Sequence, residues 1–185
     1  MSRSLRPVVP TVFLSLAGVG VCLIPAGEAQ DPAQVEHGRY LVEAIGCTDC
    51  HTPKRLGPAG LEPIPGLHLA GHPQDMELPP IELAEGPWVG AFSGSMTAWH
   101  GPWGTSFTAN LTPDDETGLG TWTPDVFLAT LRTGKHMGLG RDLLPPMPWE
   151  VYGKLSDADL LAVFAYLQSL DPVSNRVPQP IPPAR

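Results

Sequence analysis

"AIGCTDCHTPK", residues 44–54, sets Cys47, Cys50 and His51 in the spacing C-x-x-C-H. Two thiols three positions apart, followed at once by an imidazole, suit three chemistries. They can exchange a disulfide, supply half of a zinc site, or anchor a cofactor covalently. What surrounds the motif decides among them.

The chain has 185 residues, 42% hydrophobic and 16% charged, which describes a folded domain with a core. Its 23 prolines and 20 glycines predict long, ordered loops. A net charge of −8 makes nucleic acid and anionic lipid poor partners, while it suits a basic patch on a protein. The same charge also serves solubility alone. At the N-terminus, Arg3 and Arg6 precede an apolar run over 8–24, and small residues offer cleavage after Ala29. This predicts a signal peptide over 1–29 and hence a periplasmic protein; the alternative is an uncleaved anchor, the only source of membrane contact. Cys22 leaves with that segment, so both remaining cysteines sit in the motif. An exported protein held by disulfides would show more of them, further apart.

Three helices are legible. Asp31-Pro32 opens the first, with Gly38, Leu41, Val42 and Ile45 on one face and Gly46 at its end. Thr123 caps the second, which Gly134 closes. The third runs over 156–170, opened by Ser156 and Asp159, with Leu160, Val163, Phe164 and Leu167 in helical spacing. Between the first two lies a stretch rich in Pro, Gly and Trp, with no clear strand alternation. A loop that long needs something large to organise it, such as a buried cofactor. The expected architecture is mostly α: one domain over 30–172 with a loop-rich insertion at 53–105, then an extended Pro-rich tail over 173–185.

A disulfide exchanger needs a βαβ context, and none is readable. Zinc needs four ligands, and His68, His72, His100 and His136 lack the usual paired spacing. Covalent haem accounts for all three motif residues: Cys47 and Cys50 form thioethers, and His51 ligates the iron. One C-x-x-C-H predicts one haem c. An electron carrier fills the sixth position too, and thioether sulfur favours reduced iron. Met76, Met96, Met137 and Met147 are candidates. Met147, in "LLPPMPW", is flanked by Pro145, Pro146 and Pro148, which stiffen the loop that aims it. Met137 is the rival, and His100 or His136 would give a bis-histidine site.

"GRYLVEAIGCTDCHTP", "FTANLTPDDETGLGTWTPDVFLATLRTGKH" and "LLPPMPWEVYGKLSDADLLAVFAYLQSL" resemble bacterial class I c-type cytochromes, over roughly 35–172. The resemblance implies a cytochrome c-like fold, with His51 and Met147 as axial ligands to low-spin iron. It implies a close crossing of the first and third helices, with Gly38 near Phe164 or Tyr166. It also implies Trp122 hydrogen-bonded to a haem propionate, and a proline carbonyl, from Pro58 or Pro65, holding the far nitrogen of His51. The segment 53–105, with Trp88, Trp99 and Trp103, departs from a minimal cytochrome. The implied role is a carrier of single electrons between a dehydrogenase and a downstream acceptor such as a terminal oxidase, not an enzyme. A haem oxidoreductase or a gas sensor with a labile sixth ligand is the alternative. "NLT" at 110–112 matches a glycosylation sequon but reads as a turn.

Overall fold

Asp31 accepts a hydrogen bond from the Ala33 amide at 3.0 Å, and Pro32 follows at the first helical position. That pairing starts α1, Pro32–Ala44, in a computed structural model that describes residues 31–81, 83 and 86–183. The predicted signal segment lies outside the described residues. Gly46, with φ of +79°, turns the chain out of α1 and into a short helix, α2, Cys47–His51, that carries the motif. A residue with a Cβ would be strained there.

Thr123 caps α3, Pro124–Thr133, and Gly134 ends it with φ of +67°. The short α4, Trp149–Tyr152, follows and leads into α5, Asp157–Gln168. Ser156 opens α5: its hydroxyl accepts from the Asp159 amide at 3.1 Å and donates to the Asp159 carboxylate at 2.7 Å. Two of the helices, α2 and α4, were thus too short to read from periodicity.

The crossing of α1 and α5 organises the core. A methyl group added at Gly38 would overlap the Ala162 carbonyl and come within 2.9 Å of Tyr166 Cβ. Tyr166, rather than Phe164, is the aromatic at that crossing. Phe164 packs instead on Phe127 of α3, ring centres 5.1 Å apart. Val42, Leu160, Val163 and Leu167 complete the buried cluster with Leu69, Leu119 and Leu131.

The Pro/Gly-rich region is not structureless. It holds a hairpin of β1, Lys54–Gly57, and β2, Gly60–Pro63. A second antiparallel sheet joins β3, Ala91–Phe92, β4, Ala98–Gly101, and β5, Gly104–Phe107. Strand alternation failed as a signal because these strands are two to four residues long. The Pro-rich tail then runs back over the molecule and meets β5. Thr105 and Ile181 exchange both backbone hydrogen bonds, at 2.8 and 2.9 Å.

Candidate cofactor site

One cavity of about 500 Å³ lies between the helices, β5 and the tail. That volume falls in the range of small-molecule and cofactor sites, about 300–1,000 Å³. Cys47, Cys50 and His51 line it from α2, and Met147 from the loop before α4. Trp122, just before α3, lines it too. Phe127, Leu131, Leu160 and Val163 supply apolar wall.

His51 is buried, and burial holds its imidazole below the usual histidine range, so the ring is neutral. Its Nδ1–H donates to the Ala109 carbonyl at 2.8 Å. The Nε2 lone pair is thereby left for a ligand, the arrangement that orients metal-binding histidines. Neither Pro58 nor Pro65 is the acceptor: Pro58 sits in the turn joining β1 to β2. A main-chain carbonyl has no side-chain signature, which is why Ala109 could not be read from sequence.

Cys47 and Cys50 are free thiols. Burial pushes Cys47 up to about 11 and moves Cys50 in the same direction. Redox dithiols are tuned the opposite way, toward thiolate. The zinc arrangement is not assembled either. Among the described residues, no three His, Cys, Asp or Glu side chains are grouped to hold a metal ion. His72 is fully buried between Thr97 Oγ1, at 2.9 Å, and the Met76 carbonyl, at 3.2 Å.

Of the four candidate methionines, Met147 and Met137 line the cavity, whereas Met76 and Met96 do not. Met147 is half-buried and packs on the core cluster. Met137 is 48% exposed, on a left-handed backbone at φ +54°. His136 also reaches the cavity and meets Trp122 edge-on, 5.4 Å between ring centres. His100 does not line it and is bonded to Thr105 Oγ1 at 2.8 Å.

Residues that sequence reasoning passed over complete the lining. Arg141 is exposed overall but lines the cavity, where partial desolvation lowers its pKa from the ordinary value, and its guanidinium donates to the Asp142 carbonyl at 3.2 Å. The Asp142 carboxylate beside it pairs with Lys135 instead, at 2.5 Å. Among the described residues, no carboxylate forms a salt bridge with Arg141. Arg176, Val177 and Pro178 of the tail form another part of the wall. Thr108 Oγ1, on a further lining residue, is buried without a hydrogen-bond partner. Asn110, of the sequon, is buried, and its Oδ1 accepts from both the amide and hydroxyl of Thr112, which is a turn.

This donor set fits a haem. It combines two thiols on one helical turn, a neutral imidazole with one nitrogen tied, a thioether, and a guanidinium facing an apolar space. An orphaned hydroxyl and a cationic arginine are the groups that acidic substituents of a largely apolar ring would meet.

No family model matches the chain. A stretch of 77 residues, 42% of the chain, is 40% identical to one of the subunits of the nicotinate dehydrogenase of Pseudomonas putida, of which it covers 6%. Across 97% of its length the chain is 28% identical to the fructose dehydrogenase cytochrome subunit of Gluconobacter japonicus. Across 88% it is 27% identical to the cytochrome c subunit of the quinone alcohol dehydrogenase of Gluconobacter oxydans. The chain spans only 32% and 28% of the lengths of those two proteins. Along nearly all of its length, then, this chain is similar to part of the cytochrome subunits of dehydrogenases.

Proposed function

We propose that the chain is a c-type cytochrome that carries single electrons and binds one haem, matching its one C-x-x-C-H motif. The observation that carries this reading is the shared cavity: the thiols of Cys47 and Cys50, the neutral imidazole of His51 and the thioether of Met147 all line it. Haem, when bound, supplies a one-electron ferric–ferrous couple. Cys47 and Cys50 would hold it through thioether bonds, and His51 and Met147 would bind its iron. Ala109 fixes the His51 ring through Nδ1–H. Apolar residues of α3 and α5 exclude water, which disfavours the more charged oxidised state. Trp122 and Arg141, which line the cavity, would receive the acidic edge of the haem.

With His51 and Met147 both bound to the iron, the protein would make and break no substrate bonds. Its partner is a dehydrogenase, by analogy with the fructose, alcohol and gluconate dehydrogenase subunits it is similar to. The apolar N-terminal run directs it to the periplasm. Among the described residues, no helix is long and apolar enough to cross a membrane.

Replacing Met147 with Ala tests the reading. The weak sulfur-to-iron charge-transfer band disappears, and the potential falls by a large part of the ~0.8 V range that axial ligands control. The ferrous variant binds carbon monoxide, whereas the ferrous wild type does not. An unchanged band in the variant would assign the thioether to Met137. Ready carbon monoxide binding by the wild type would favour an enzyme or a sensor.

A further inference from the structure

The loop that carries Met147 has little backbone support of its own. Pro145, Pro146 and Pro148 have no N–H to donate. The Met147 amide reaches the Leu144 carbonyl at 3.3 Å, beyond the usual range for an N–H···O bond. The loop is held instead from its two sides. Downstream, the Pro148 carbonyl accepts from the Val151 amide at 2.9 Å, and the Tyr152 hydroxyl donates to the Ile45 carbonyl at 2.8 Å. This pins α4 to the segment just before Cys47. Upstream, the Leu143 amide donates to the Gly134 carbonyl at 2.7 Å. Closer to the methionine, the Ser106 hydroxyl donates to the Pro145 carbonyl at 2.6 Å.

Ser106 belongs to β5, at the edge of the region that departs from a minimal cytochrome, and it is 7% exposed. Its strand is fixed on one side by β4 and on the other by the tail residue Ile181. Ser106 therefore presents its hydroxyl from a rigid base to a carbonyl two residues before Met147. The bond is short and part-buried, donated from a buried side chain, and it resists any outward swing of the loop.

We propose that Ser106 is a positioning residue for Met147: by holding the Pro145 carbonyl it keeps the thioether in place and makes the sixth position hard to displace. This rests on Met147 being the axial ligand. The small β3–β4–β5 sheet then acts as a brace for the ligand loop.

The test uses ferric full-length holoprotein titrated with imidazole, a small external ligand, and followed by absorbance. Ser106→Thr and Ser106→Val are nearly equal in shape and suit a strand, but only threonine keeps a hydroxyl. Threonine is expected to behave as wild type. Valine is expected to bind imidazole about three- to tenfold more tightly, the worth of one such hydrogen bond, and to weaken the charge-transfer band. Equal imidazole affinities for the two variants would overturn the proposal. Should the added bulk prevent folding, Ser106→Ala decides on the same measurement: tighter binding supports the brace and wild-type binding overturns it. Met147→Ala separates the two levels of argument. If it leaves the band intact, the ligand reading fails. If it removes the band while the Ser106 variants match wild type, only the brace fails.

Discussion

Gly38 sits mid-helix, where alanine would ordinarily gain about 1 kcal/mol. Its neighbours reverse the sign. A Cβ there meets the Ala162 main-chain carbonyl, which cannot rotate aside, and Tyr166 Cβ at 2.9 Å. Overpacking of this kind costs about 1–3 kcal/mol, the upper end when a backbone is in the way. Gly38→Ala is expected to lower the unfolding free energy by about 2 kcal/mol in a urea titration, and a gain would show that α1 and α5 separate readily. The glycine could be picked out from sequence because it shares a face with Leu41, Val42 and Ile45. The partner of His51 could not. The resemblance pointed to a proline carbonyl, but any residue type can offer a main-chain oxygen, and Ala109 does so here.

The two longer helices flanking the cavity, α3 and α5, were legible because caps, periodicity and stop signals agree. Both hairpins were missed, although the sequence marks them. "GPAG" at 57–60 joins β1 to β2 and "GPWG" at 101–104 joins β4 to β5, each with a left-handed final glycine. A two-residue turn framed by glycines is a hairpin signal even where the strands are too short to alternate. Beside the second hairpin, His72 packs on Phe107, 4.8 Å between ring centres, and hydrogen-bonds Thr97. Burial holds it below the ordinary value of 6.5. The unfolded chain therefore binds the proton first, and stability from the neutral ring, complete above 6.5, is lost as pH falls below it. His51, His68 and His136 shift in the same direction, so the comparison must isolate one site. His72→Gln is expected to flatten the fall in unfolding free energy below pH 6.5 relative to wild type; parallel curves would place the effect elsewhere.

Across the whole molecule, the tail is integral to the fold. Asn175 is 4% exposed. Its side chain donates to the Ala70 and His72 carbonyls, at 2.6 and 2.9 Å, and accepts from the Gln74 amide at 2.8 Å. Asn175→Ala would strand those backbone groups, each worth about 1–3 kcal/mol. The expected outcome is a loss of roughly 3 kcal/mol and faster tryptic cleavage after Arg176, seen by limited proteolysis; an uncut variant would mean that other contacts hold the tail. The motif near residue 50 and the tail near residue 178 face the same hollow, so a piece lacking either would leave one wall open. A dry void of about 500 Å³ would carry a penalty of ~12 kcal/mol at ~24 cal/mol per Å³, as large as the net stability of an entire domain. An unfilled chain must cave in or let water onto its greasy lining. Whatever enters would therefore steady the walls as well as work between them, and the loaded protein is expected to unfold at a higher temperature than the empty one.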